Sequence, residues 1–322
     1  MTPKSLPVLY LVIPCYNEQE VLPETAARLK QLYTEISGKT VHPDSRILFV
    51  NDGSKDRTWE IITQLHASDP IYGGVNLSRN RGHQNALLAG LMTAKEHADI
   101  IVSMDADLQD DIGAVHEMIE KYKEGCDVVY GVRSSREKDT VFKRSTAQGY
   151  YKLMALLGVD IVYNPADYRL MTKRALEALE QYSEVNLFLR GIVPQIGFKT
   201  ATVYYERGER FAGESKYPLK KMLAFAFDGI TSFSVKPVRM ILTLGAAVSV
   251  ISVIYLIYCL IRNLTGNTVE GWTSLIGSVW LMGGLQLMSL GVIGEYIGKI
   301  YYETKRRPRY IIESVLLEET KD

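Results

Sequence analysis

Continuous apolar runs alternate with helix-period segments along the first two hundred residues. Residues 8–14, 46–51, 74–77, 99–104 and 127–131 read as strands, and residues 18–36, 56–68, 83–96 and 110–124 read as the helices between them. Strand runs with little polar alternation belong to sheets covered on both faces. The order therefore predicts an α/β fold whose sheet is mainly parallel and twisted. Ligands of such sheets bind beyond the carboxyl ends of the strands. Chemistry is expected at Pro14, Tyr16 and Glu18, at Asp52, at Arg79, and at Asp105 and Asp107.

The last third of the chain has a different pattern. Residues 240–261 and 271–294 carry no charge, and each run of about 20 residues or more is long enough to cross a hydrocarbon core of about 30 Å. Two transmembrane helices joined by a short loop are expected. Lys216, Lys220, Lys221, Lys236 and Arg239 precede the first run, and Lys299, Lys305, Arg306, Arg307 and Arg309 follow the second, whereas the loop holds only Arg262 and Glu270. This asymmetry predicts that both termini and the catalytic domain face the cytoplasm, with the chain a multi-pass protein of the cell inner membrane. Trp272, Tyr301, Tyr302 and Tyr310 lie where interfacial aromatics are expected. Apolar residues at helical spacing over 219–233 predict an amphipathic segment along the bilayer surface. The expected organisation is a catalytic domain over 1–212, an acceptor loop and juxtamembrane helix over 213–237, two spans within 238–298, and a basic cytoplasmic tail over 299–322.

Composition narrows the chemistry. Of 322 residues, 37 are Lys or Arg and 37 are Asp or Glu, so no global field favours nucleic acid. Cys15, Cys126 and Cys259 lie far apart without metal-type spacing, which predicts reduced thiols. The first fifteen residues lack a basic segment followed by a cleavage site and read as a buried strand. No strand is followed by a G-x-G-x-x-G or G-x-x-x-x-G-K-[ST] turn, which weighs against a dehydrogenase and a P-loop nucleotidase. Asp105 and Asp107 end an apolar strand one residue apart and form a hard-oxygen pair. Such a pair suits Mg²⁺ or Mn²⁺ already chelated by a diphosphate, because these ions take most ligands from phosphate and water.

Motifs in a fixed order then accumulate: Pro14-Cys15-Tyr16-Asn17-Glu18, Asn51-Asp52-Gly53-Ser54, Arg79-Asn80-Arg81-Gly82, Asp105-Ala106-Asp107-Leu108-Gln109, Asp167-Tyr168-Arg169, Gly213-Glu214-Ser215-Lys216-Tyr217, and Gly294-Glu295-Tyr296-Ile297-Gly298. With the two apolar runs behind them, the chain resembles membrane-anchored family 2 glycosyltransferases of the GT-A fold, of the GtrB type and related to dolichol-phosphate mannose synthases. The resemblance implies transfer of a hexose, glucose from UDP-glucose, to undecaprenyl or another polyprenyl phosphate, with inversion, by a homotetramer. It also implies roles for residues. Asp107 would be a direct metal ligand, and Asp105 would act on the metal's water or on ribose. Pro14, Tyr16, Glu18 and Asp52 would hold the nucleoside. Arg133 and Lys216 would pair the donor diphosphate or the acceptor phosphate. Asp167 would face the sugar, with Arg169 beside it as a second contact or its ion-pair partner. Arg79, Gln109, Arg210, Ser215 and Tyr217 complete the expected substrate-binding set. His83 and Gln84 stand where the family pattern has a lysine and a glutamate, and His83 reads as a capping or surface residue.

Two other functions share part of this pattern. A processive polysaccharide synthase would carry a Q-x-x-R-W segment and more spans, and this chain has no Arg-Trp pair. A non-catalytic scaffold that binds a nucleotide sugar would not need Asp105, Asp107, Asp167 and Lys216 together.

Overall fold

The structure, a computed structural model, describes residues 6–134, 165–185, 187–206, 236–264 and 271–317. Arg210, the acceptor loop with Ser215, Lys216 and Tyr217, and the amphipathic segment over 219–233 lie outside the described residues. The chain divides into two compact units, one of Met1–Tyr151, Ile161–Tyr217 and Arg307–Asp322, the other of Lys152–Asp160 and Pro218–Arg306.

The first unit alternates strands and helices in the predicted order: β1 (Leu9–Cys15), α1 (Leu22–Ile36), β2 (Arg46–Asn51), α2 (Thr58–Ser68), β3 (Tyr72–Leu77), α3 (His83–Lys95), β4 (Ile100–Ser103), α4 (Ala114–Lys123) and β5 (Val128–Arg133). Next come β6 (Pro165–Thr172), α5 (Lys173–Glu180), α6 (Leu189–Gln195) and β7 (Thr200–Tyr205), and the tail adds β8 (Ile312–Leu316). The sheet order is β7-β5-β6-β4-β1-β2-β3-β8. Strands β1 to β4 pair in parallel, as do β5 and β7, while β6 runs antiparallel between β4 and β5 and β8 runs antiparallel along β3.

Burial explains the sequence pattern. Every residue of β1, β3 and β4 is buried, so these strands show no regular alternation of polar and apolar residues. Helix α1 starts at Leu22, later than periodicity predicts. The Glu18 carbonyl accepts from the Val21 and Leu22 amides in a turn, and Pro23 occupies the first helical turn, where its missing N–H costs nothing. Its stripe of Leu22, Ala26, Leu29, Leu32 and Ile36 then faces the core. Helix α3 lies unusually close to the sheet. A Cβ at Gly90 would stand 2.5 Å from Val12 Cγ1 and 2.5 Å from Val50 Cγ2.

The second unit holds two long helices, α7 (Lys236–Leu264, 29 residues) and α8 (Trp272–Lys305, 34 residues). Among the described residues, no helix is long and apolar enough to cross a membrane. Large apolar side chains nevertheless stand exposed along both, including Leu242 and Ile251 on α7 and Leu281 and Leu287 on α8. The tail, expected only as a basic segment, returns to the first unit as β8, and Tyr310 belongs to that unit.

Gly90→Ala discriminates between propensity and packing. In an exposed helix the change would gain about 1 kcal/mol. Here the new methyl must displace two buried valines, so a net loss of about 1–3 kcal/mol is expected in chemical unfolding. A gain in stability would show that α3 is not packed this closely.

Candidate active site

The loop after β4 carries the paired carboxylates, and several hydrogen bonds fix its shape. The buried Thr25 of α1 donates from Oγ1 to the Ala106 carbonyl at 2.8 Å, between the two aspartates. The Gln109 amide donates to Asp107 Oδ1 at 3.2 Å. Leu108 lies between them at φ 57°, a left-handed conformation that costs a bulky residue of order 1 kcal/mol or more and persists only where its surroundings over-determine it. Further on, Tyr168 donates from its hydroxyl to the Asp111 carbonyl at 2.8 Å, and the Tyr205 hydroxyl donates to Asp110 Oδ1 at 2.5 Å. Arg133 completes this group. Its Nη2 lies 3.7 Å from Asp110 Oδ1, and its Nε donates to Tyr205 at 3.4 Å.

Asp105 is a carboxyl raised well above its ordinary value. Burial pushes it up to about 6 against the pull of His83, and the charges of Asp110, Asp167 and Asp107 push the same way. Its side chain still keeps 37 % of its surface open. Here is negative charge that a cation would relieve. Among the described residues, no three acidic, His or Cys side chains form a ready-made metal cluster. The donor set of Asp105 and Asp107 therefore fits an ion that arrives with phosphate ligands of its own.

Asp167, on β6, is buried and faces two guanidinium groups and the His83 ring. Arg169 Nη2 donates to its Oδ1 at 2.7 Å, and Arg190 Nη2 and Nε reach Oδ2 and Oδ1 at 3.0 and 3.2 Å. His83 Nε2 stands 3.6 Å from Asp167 Oδ2 and 3.6 Å from Asp105 Oδ1, bridging the two carboxylates. Burial alone would raise the Asp167 carboxyl, but His83, Arg190 and Arg169 outweigh it and hold it far below the usual carboxylate range. The backbone locks the strand in place: Ser103 Oγ donates to the Asp167 carbonyl at 2.6 Å. The Leu189 amide donates to Gln84 Oε1 at 2.9 Å, which ties the start of α6, and so Arg190, to the start of α3 beside His83.

The carboxyl ends of β1 and β2 form a separate rim. Asp52 is 2 % exposed, and its two oxygens accept from the Arg81 amide at 2.6 Å and the Gly82 amide at 3.0 Å, which shapes the loop after β3. Gly53, at φ 62°, passes so close to that loop that a Cβ would sit 2.4 Å from the Asn80 nitrogen. Asn17, at φ 55°, donates its amide to Ser54 Oγ at 3.0 Å and accepts from the Lys55 amide at 2.8 Å. A hollow of about 420 Å³ opens here, lined by residues that include Asn17, Glu18, Lys55 and Asp56.

Comparison with known proteins decides the family. Residues 10–180 match Glycosyl transferase family 2, and residues 236–300 match the GtrB C-terminal hairpin. The chain belongs to glycosyl transferase family 2. A relative named an uncharacterized glycosyltransferase, YkoT of Bacillus subtilis, is 55 % identical over 98 % of this chain and 94 % of its own. The prophage bactoprenol glucosyl transferase homolog of Escherichia coli is 40 % identical over 95 % of this chain and 98 % of its own, and the bactoprenol glucosyl transferase of Shigella phage SfV is 41 % identical over 94 % and 97 %. Solved structures lie further off. Mannosyl-3-phosphoglycerate synthase from Rubrobacter xylanophilus aligns with a TM-score of 0.48 at 14 % identity, covering 69 % of this chain and 71 % of its own.

In this family 2 transferase the predicted residues separate into groups. Asp105, Asp107, Gln109 and Arg133 gather around the loop after β4, and Asp167 faces Asp105 through His83. Tyr16, Glu18, Asp52 and Arg79 belong to the loops at the rim, with Tyr16 and Arg79 exposed. Pro14 is buried inside β1, past the last residue paired with β4. Arg169 is 2 % exposed and turned inward on Asp167, so the ion-pair reading of this residue is the one observed. His83 departs from expectation. Helix α3 has no side-chain cap, and the ring lies between two active-site carboxylates. The strand-end rule had already marked the loop it follows. Arg190 carried no sequence signal, because a short helix after β6 brings it to Asp167 from 23 residues away.

His83 gives a testable pH dependence. Burial lowers its basicity, but contact with Asp167 and the charges of Asp105 and Asp167 raise it overall. A raised histidine contributes stability that is complete below its unfolded value of about 6.5 and is lost as pH rises through the folded value. In metal-free buffer the stability advantage of wild type over His83→Gln is expected to be largest below pH ~6.5 and to shrink above it. An advantage that grows with pH would contradict the bridging arrangement.

Proposed function

We propose that this transferase moves glucose from UDP-glucose to a polyprenyl phosphate, with inversion at the anomeric carbon, at the cytoplasmic face of the membrane. One observation carries the reading: the carboxylate loop after β4 stands opposite the cation-bound Asp167 in a chain that is 40 % and 41 % identical to proteins named for bactoprenol glucosyl transfer. In the reaction an acceptor phosphate oxygen attacks C1 of the sugar as the bond from C1 to the diphosphate breaks, and UDP leaves. The second ionisation of a phosphate monoester lies near pH 6, so the acceptor is already an oxyanion at neutral pH. No strong general base is required. The protein's work is to orient two anions and to accept the charge on the leaving diphosphate.

Roles follow from position. Asp107 and Asp105 would hold Mg²⁺ or Mn²⁺, and the ion would supply the positive charge that lets the diphosphate leave. Asn17, Tyr16 and Glu18 wall the nucleoside, while Asp52 braces the loop that carries Arg79 against it. Asp167 orients a sugar hydroxyl, with Arg190 and His83 fixing its charge. Arg133 stands beside Asp110 on the diphosphate side. Lys216 precedes the hairpin and is assigned to the acceptor phosphate, which a polyprenyl tail confines to headgroup depth. The hairpin of α7 and α8 is read as spanning the bilayer. The uncharged runs 240–261 and 271–294 and the exposed apolar side chains support this reading, and the basic flanks support cytoplasmic termini.

Asp107→Asn removes one carboxylate charge with little change in shape. Transfer is expected to fall by about a hundredfold or more, on the scale of losing one electrostatic partner of the transition state, while circular dichroism stays unchanged. Near wild-type turnover of the variant in chelator would overturn the metal assignment.

A further inference from the structure

The tail strand β8 ends a relay of polar side chains that reaches the rim of the donor hollow. At the edge of the sheet, Asn76 and Ser314 are paired, as are Leu77 and Ile312, so Glu313 is the extra residue of a bulge. Bulges re-aim side chains. Here Glu313 Oε2 accepts from Asn76 Nδ2 at 2.9 Å, Asn76 Oδ1 accepts from Asn51 Nδ2 at 2.7 Å, and Asn51 Oδ1 accepts from the Ser54 amide at 3.2 Å. Ser54 Oγ in turn accepts from the Asn17 amide at 3.0 Å. Asn51 is 3 % exposed and Asn76 is 9 % exposed, so water competes little for the bond between them.

The relay has a direction. An ionised carboxylate can only accept, so Glu313 fixes which end of the Asn76 amide faces it. That choice leaves Asn76 Oδ1 for Asn51, which points the oxygen of Asn51 at Ser54. The seat of the tail is also built into the sheet: a Cβ at Gly73 would stand 2.7 Å from Leu317 Cδ2 and 3.2 Å from the Leu316 carbonyl. Ser78 donates its amide to the Ile311 carbonyl at 3.0 Å, and Arg309 donates to the Tyr182 carbonyl.

We infer that Glu313 is a positioning residue for the nucleotide sugar, acting through Asn76 and Asn51 on the Ser54 and Asn17 backbone. The inference rests on reading that rim as the nucleoside wall. It gives the segment after the hairpin a part in donor binding, since β8 follows α8 after only a short connection.

The test uses the full chain in detergent, with UDP and Mn²⁺ in calorimetry and donor and acceptor titrations in transfer. Glu313→Ala is expected to weaken UDP binding and raise the donor KM by about three- to tenfold, the size of one relay hydrogen bond, with acceptor KM and kcat unchanged. Glu313→Gln, whose amide oxygen can still accept, is expected to stay within about twofold of wild type, and Glu313→Lys, which can only donate, to be weaker than Glu313→Ala. Equal loss in the Gln and Ala variants, a loss shared by acceptor KM and kcat, or UDP binding by Glu313→Ala within twofold of wild type would overturn the proposal. Failure of wild type itself to bind UDP would instead overturn the nucleoside reading, and this inference with it. Should Glu313→Ala not fold, the order of the Gln and Lys variants decides.

Discussion

The buried carboxylate of Asp167 joins three parts of the catalytic unit. Strand β6 supplies the acid and Arg169, α6 supplies Arg190, and the start of α3 supplies His83. Removing such a charge from water costs several kcal/mol, and a buried pair is weak evidence for added stability. What the arrangement provides is position. A carboxylate gripped by two guanidinium groups keeps its charge and its rotamer, and it projects from a strand whose backbone is itself tied to Ser103. The same His83 that lies beside Asp167 also lies beside Asp105, so the two acids are registered to each other through one ring.

Charge around the site is divided. Asp105, Asp107 and Asp110 crowd one loop, where burial first and then the neighbouring carboxylates raise the Asp105 carboxyl. Arg169, Arg190 and His83 concentrate on Asp167 a short distance away. A transfer between two anions needs both kinds of surface, one that gathers positive charge from solution and one that already holds it. The strained backbone of Leu108 and Asn17 belongs to these loops, and non-glycine residues with positive φ tend to persist where function holds them.

Much of this was legible in the sequence. Strands β1 to β5 were readable because burial on both faces removes polar alternation, and α1 to α4 because each presents one apolar stripe or is flanked by turns. From that frame the strand-end rule led to Asp105, Asp107, Asp52 and Arg79. Strand β8 was not legible: five residues at an edge, Ile312 to Leu316, carry too little pattern to distinguish a strand from a tail, and their partner β3 is more than two hundred residues away. His83 was misread because its role depends on β6, which approaches from a distant part of the chain. Arg169 shows the converse. Its spacing of two from Asp167 along an extended segment puts both on one face and leaves a substrate contact or an ion pair open, and the structure shows the pair.

The proposed reaction is transfer of one glucose to a lipid-linked phosphate. It is tested most directly by incubating the purified chain with undecaprenyl phosphate and, in turn, each radiolabelled UDP-hexose, then partitioning the products between organic solvent and water. Label from UDP-glucose is expected in the organic phase as a monoglucosyl phospholipid, with its formation abolished by chelator. Label that accumulates as a water-soluble polymer, or no product from any donor while UDP still binds, would contradict it.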